Sequence, residues 1–189
     1  YSYPWVFGLG LPVMTLASRG AMQGPWVQDY QGDDFTRPAS YLPVLRTLPQ
    51  MRLCLAHFGG QDEWAAYVAA RETRGRENWM LQIRDMIGSG DYPNLWTDIS
   101  YTMFHFDDFA PILRLLLRGT DIASRRLRAR VLFGSDFYMT RQEELSERAV
   151  CIRLRDTLGE ALFKQIAEIN PEVWLDERVE AKTLWTELG

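Results

Sequence analysis

RLCLAHFGG, residues 52–60, decides the fold. Leu53-Cys54-Leu55-Ala56 is an apolar run of strand length, and it breaks on His57 followed by Phe58-Gly59-Gly60. In parallel α/β folds, polar functional residues gather at the C-terminal ends of buried strands. The glycines let the backbone turn sharply or approach a ligand closely. Arg52–Phe58 therefore reads as a strand delivering a histidine to such an end.

Three more runs share that length and those borders. They are Leu11–Leu16 (LPVMTL) after Gly8–Gly10, Asn94–Ser100 (NLWTDIS) after Tyr92-Pro93, and Arg130–Phe133 (RVLF) before Gly134-Ser135-Asp136. Helical spacing of apolar residues marks Pro38–Leu48, Trp79–Ile87, Phe109–Arg118, Gln142–Leu158 and Gly159–Ile169, and Gln61–Asn78 has room for a further helix. Gln23–Arg37 is polar and reads as a long loop. Strands alternating with helices imply βα units and a parallel sheet. No Gly, Ser and Pro linker divides the chain, so residues 1–189 read as a single α/β domain. The chain opens on Tyr1 rather than Met, as a processed or truncated protein does.

Composition narrows the partners. A net charge of −4 leaves no basic footprint for nucleic acid or an anionic membrane. No apolar run reaches the length of a membrane span, and no signal peptide opens the chain. Arg125, Arg126, Arg128 and Arg130 form the densest basic cluster, read as a solvated helix end. Cys54 and Cys151 lack metal-type spacing and read as reduced core thiols, which fits a cytoplasmic protein.

Three strand ends carry candidate chemistry. His57 is placed to bind a metal or move protons near neutral pH, or else to be a hydrogen-bonded histidine at a strand end. Asp136 is placed to bind a divalent metal and take a proton from its water, or else to cap the following helix. Asp98 reads as lying inside its strand rather than at the tip, and ranks below these two. His105, in FHFDDF with Asp107 and Asp108, looks like a metal cluster on paper but reads as a solvated turn or helix cap. Phe58, Tyr101, Phe104, Phe137 and Tyr138 follow strand tips and either line a pocket for a planar acid or pack between loops. There is no phosphate loop, G-x-G-x-x-G or G-x-S-x-G motif, so nucleotide binding and serine hydrolysis are poorly supported.

LPVMTLASRG, LCLAHFGG, YPNLWTDISYT, VLFGSDF and EINPEVWL, in this order from about Leu11 to Leu175, resemble the amidohydrolase-2 family of metal-dependent hydrolases and decarboxylases in the amidohydrolase superfamily. AHFGG followed by TDIS and FGSD is the specific part. The resemblance implies a TIM-barrel (β/α)8 fold in which the four strands are strands five to eight. A full barrel takes about 250 residues, so this chain would be the C-terminal half, open at its sheet edge unless paired with the missing N-terminal half or with another copy in a homo-oligomer.

The resemblance also implies roles. Asp136 matches the last-strand aspartate that binds metal or activates water, and His57 the sixth-strand histidine that ligates metal or acts as acid and base. The cofactor implied is a divalent metal, zinc or manganese, and the partner a small-molecule, possibly aromatic, substrate. Two departures stand out. Leu16 occupies the position where the fifth-strand motif carries histidine, and the His-x-His pair of strand one has no counterpart in residues 1–189. Two functions follow: a metal-dependent hydrolase or decarboxylase whose site is incomplete in this chain, or a catalytically inactive barrel serving as a binding or structural module. A third reading, a generic α/β ligand-binding domain, expects mixed strand directions.

Overall fold

The four expected strands form in a computed structural model that describes residues 6–7, 12–16, 36–70, 78–102, 106–136 and 146–176. β1 (Val6–Phe7) runs antiparallel to β2 (Pro12–Leu16). A 3-10 turn over Pro38–Tyr41 leads into α1 (Leu42–Thr47), then β3 (Leu53–Leu55) and a 3-10 turn over Ala56–Gly59. α2 (Gln61–Ala70) and α3 (Trp79–Ser89) precede β4 (Leu95–Asp98). α4 (Phe106–Arg118) and α5 (Ile122–Arg128) precede β5 (Val131–Leu132). α6 (Glu147–Leu158), α7 (Glu160–Lys164), a π turn over Gln165–Ile169 and α8 (Asn170–Leu175) follow.

The sheet order is β1-β2-β3-β4-β5, and β2 to β5 are all parallel. Only the two-residue β1 runs the other way, so the mixed directions expected of a generic domain stop at that edge. Register pairs Leu53 with Leu95 and Leu55 with Thr97, while Thr97 pairs with Val131. Successive side chains alternate between faces. Leu53, Leu55, Leu95 and Val131 therefore share one face, and they join the main core with Met80, Ile83 and Ile87 of α3, Leu113 and Leu117 of α4, and Leu154 of α6. Cys54, Trp96 and Leu132 lie on the other face, covered by Val173 and Trp174 of α8.

Local sequence explains the helix borders. Asn78 Oδ1 accepts from Leu81 N–H at 3.0 Å, Asp121 Oδ1 from Ser124 N–H at 2.9 Å, and Ser146 Oγ from Ala149 N–H at 3.2 Å. Each satisfies an orphan donor in a first turn. In α4 the buried residues Phe109, Ala110, Leu113 and Leu117 recur at helical spacing, which puts one apolar stripe on the sheet.

The arginine cluster corrects the expectation of a solvated helix end. Arg126 donates to the carbonyls of Gly88 and Ser89 at 3.1 and 2.6 Å, closing the end of α3. Arg128 donates to Leu117 and Gly119 carbonyls at 2.8 and 3.4 Å, closing α4. Arg130 is buried, lies 4.6 Å from the Trp96 ring centre and donates to Pro93 O at 2.9 Å. Burial, then the nearby Arg52 charge, lowers its pKa to about 10. Arg126 and Arg128 thus bind the C-terminal carbonyls of helices, where a cation is favoured.

The expected single helix over Gly159–Ile169 is instead α7 and a π turn. Asn170 N–H bonds Gln165 O, and Pro171 has no N–H. The Ile166 carbonyl thus has no helical donor, and it accepts from Phe133 N–H at 2.9 Å, just past β5. Asn170 Nδ2 donates to Arg128 O and Val131 O at 2.8 and 2.6 Å. The Asn-Pro pair thereby ties the C-terminal helices to the last strand.

Candidate active site at the strand ends

β3 stops at Leu55, earlier than the expected Arg52–Phe58, because the chain turns over at His57 and Phe58. Their φ angles are 60° and 46°, left-handed values that side chains with a Cβ rarely adopt. Such strain persists only where neighbours over-determine it, and it clusters at functional sites. Phe58 is fully buried and meets Trp64 edge-on at 5.4 Å. Trp64 Nε1–H donates to Phe58 O at 2.9 Å. Thr102 Oγ1–H donates to His57 O at 2.6 Å, and His57 N–H donates to Asp98 Oδ1 at 3.2 Å. Gly59, at φ 89°, leaves no room for a side chain, since a Cβ there would lie 2.6 Å from Met80 N. The start of α3 therefore rests directly on this turn.

Asp98 was expected inside its strand, yet it is the last residue of β4. The register explains why: Leu55 pairs with Thr97, so Asp98 stands one residue further, level with the start of the His57 turn. Its Oδ1 accepts from His57 N–H, from Ser100 N–H at 3.0 Å and from the Ser100 hydroxyl. Its Oδ2 lies 3.6 Å from Cys54 Sγ. Burial, then the Asp98 charge and hydrogen bond, push the Cys54 thiol well above its ordinary range. Cys54 is therefore a protonated core thiol rather than a nucleophile.

His57 Nδ1 lies 2.9 Å from Ser100 O, 3.0 Å from Ser100 Oγ and 3.9 Å from Asp98 Oδ1. A carbonyl only accepts. Nδ1 must therefore carry the proton, and in the neutral ring Nε2 holds the lone pair. The side chains of His57 and Asp98 are 18% and 14% exposed, which leaves the ring partly open to solvent.

Asp136 follows β5 by four residues, at φ 45° and half-buried. Residues 137–145, which a helix capped by Asp136 would occupy, lie outside the described residues, and the next described helix, α6, is capped by Ser146. Ser135 Oγ–H donates to Glu147 Oε1 at 3.1 Å, holding the loop to α6. A Cβ on Gly134 would lie 3.1 Å from Ser100 Cβ, so the loop carrying Asp136 borders the His57 network. The structure thus joins His57, Asp98 and Ser100 directly and brings the Asp136 loop alongside.

Other expected positions divide. Leu16 ends β2, paired with Leu55. Asp107 and Asp108 are exposed in the first turn of α4, as a solvated helix start requires. Phe58 is core packing rather than pocket lining, while Tyr101 borders a small cavity with Ile99, Phe133 and Val150. His105, Phe104, Phe137 and Tyr138 lie outside the described residues.

The family model described as amidohydrolase matches residues 3–176. The chain belongs to the amidohydrolase family. Searches of curated proteins and of solved structures found no match. Members of the amidohydrolase family are typically metal-dependent, which puts a test to the donors present. Among the described residues no three His, Cys, Asp or Glu side chains are grouped to hold a metal. Leu16 offers no donor atom. His57 and Asp136 are donors of the right kind, but zinc takes three or four protein ligands. The described residues by themselves do not fit a metal. No described helix is long and apolar enough to cross a membrane.

Proposed function

We propose that this chain supplies the His57 and Asp136 side of an amidohydrolase-family site. The site hydrolyses a C–N or C–O bond, or decarboxylates an aromatic acid, in a small substrate. The observation that carries this reading is the ring of His57, with Nδ1–H satisfied by Ser100 and Nε2 left as the lone-pair nitrogen. An imidazole held that way is ready to take a proton from, or return one to, a bound molecule. Asp136, at the end of the next strand but one, is the second polar group, and its carboxylate serves as base.

Strands β2 to β5 are, in this reading, strands five to eight of a (β/α)8 barrel, and residues 1–189 form one domain. Support comes from the sequential order of four parallel strands, since doubly wound sheets reverse their order instead. In this reading the His-x-His pair comes from an N-terminal half of the barrel outside residues 1–189, and the Leu16 position stays without a donor. Zinc or manganese is the metal proposed for that completed site.

The test compares residues 1–189 with the same chain extended by whatever coding sequence precedes Tyr1. Turnover of amide, ester and aromatic-acid substrates is expected only in the extended protein. There, His57→Ala should lower kcat at least ~100-fold, as loss of a general acid or base does. Full activity and stoichiometric metal in residues 1–189 alone would sink the half-barrel reading.

Leu16 favours a second reading, a catalytically inactive barrel acting as a binding or structural module. An extended protein without metal or turnover, in which Leu16→His creates tight zinc binding, supports it. Native protein carrying stoichiometric metal excludes it.

A further inference from the structure

We infer that Asp98 is the positioning residue that sets the tautomer of His57, acting through Ser100. The Ser100 hydroxyl has one proton, and the geometry places it on Asp98 Oδ1. Ser100 Oγ can then only accept from His57 Nδ1, 3.0 Å away. The same Asp98 oxygen takes Ser100 N–H at 3.0 Å, which holds the residue whose carbonyl stands 2.9 Å from His57 Nδ1. Through His57 N–H it also fixes the left-handed backbone beneath the ring. Cys54 Sγ, 3.6 Å from Oδ2, keeps the carboxylate from rotating away. Two acceptors on Ser100 thus converge on Nδ1, and both are oriented by one carboxylate.

The outcome is an imidazole locked with its proton on Nδ1, the tautomer that a free histidine side chain disfavours. A ring in this state presents a lone pair, rather than an N–H, at Nε2. Its catalytic meaning rests on the proposed reading of His57, but the tautomer itself does not. Thr102, which donates to His57 O at 2.6 Å, holds the backbone and leaves the ring's proton to Ser100.

The chain has two histidines, so the experiment is simple. Ring-15N-labelled protein is examined by long-range 1H–15N NMR at about pH 9, where imidazole is neutral. Chelator is present so that no metal fixes the tautomer, and His105→Gln assigns the signals. The unaltered protein is expected to carry the His57 proton on Nδ1. In Asp98→Ala the ratio of Nδ1–H to Nε2–H falls by about tenfold, the factor one hydrogen bond carries. Asp98→Asn keeps an oxygen for the Ser100 donors and shifts the ratio by less than about threefold. A His57 proton on Nε2 in the unaltered protein overturns the inference, and so does a folded Asp98→Ala with an unchanged ratio. If Asp98→Ala does not fold, Ser100→Ala decides, because it removes only the bridging hydroxyl. A shift of about threefold is expected there, and no shift overturns the relay. Turnover read in parallel separates the two ideas. Activity that survives His57→Ala sinks the role of His57 and leaves the tautomer standing.

Discussion

The turn after β3 and the loop after β5 both leave the sheet at its C-terminal edge, and both bend through left-handed backbone. They are held in different ways. The His57 turn is tied from every side, by Asp98, Ser100 and Thr102 on one flank and by Phe58, Trp64 and Met80 on the other. Anchors of the Asp136 loop include Phe133 N–H on Ile166 O and Ser135 on Glu147. The difference teaches that the histidine end is preorganised within the chain. The aspartate end borders it and is tied to the segments that follow through Ile166 and Glu147.

Substitutions on the two ends should break or sharpen this contrast. Phe58→Ala has the largest expected effect, a loss of about 4 kcal/mol in chemical denaturation, because a fully buried ring leaves a cavity. Gly59→Ala should cost about 2–3 kcal/mol, from the φ of 89° and the contact with Met80 N. Gly134→Ala tests the aspartate end. Its Cβ needs Ser100 to give by only a few tenths of an ångström, so about 1 kcal/mol is expected by the same measurement. A larger loss at Gly134 than at Gly59 would reverse the contrast.

The smallest effect lies away from both ends. The hydrogen bonds from Ser124, side chain first and then backbone, hold the Asp121 carboxyl below its ordinary value of 3.8. A depressed carboxylate stabilises above its unfolded pKa, and that stabilisation is lost as pH falls through the folded value. Asp121→Ala should therefore lower Tm slightly at neutral pH, and its gap from the unaltered protein should close as pH falls below about 3.8. A gap that stays constant in acid would assign the effect to something other than the charged cap.

Much of this was readable before any coordinates. Apolar runs bounded by Gly, Pro and Asp placed all four parallel strands, and periodicity placed α1, α3, α4, α6 and α7, because both signals are local. The family resemblance rested on the same strand ends. Asp98 was underrated because its neighbours depend on register, a long-range property: only pairing Leu55 with Thr97 sets it beside His57. A local signal did exist, since an Asp two residues before a Ser is disposed to accept that Ser N–H in a turn. The left-handed turn at His57 had no such mark, as nothing in HF announces a φ above zero. The arginines misled for the same reason as Asp98. The carbonyls that Arg126 and Arg130 bind lie 37 or 38 residues away in sequence.

The π turn over Gln165–Ile169 is where this segment absorbs a change in chain length. It holds one residue more than α-helical winding accommodates. Deleting one of the five would let the segment wind as an α-helix and leave the turns on either side near their present phase, because π winding spreads one extra residue over about the same rotation. A residue removed from α7 would find no such slack: Asn170 would rotate off Arg128 and Val131 by roughly a quarter of a turn, and α8 would carry Val173 and Trp174 away from the sheet face they cover. Library designs and homologue comparisons should therefore expect a one-residue deletion at Gln165–Ile169 to be borne better than one within α7.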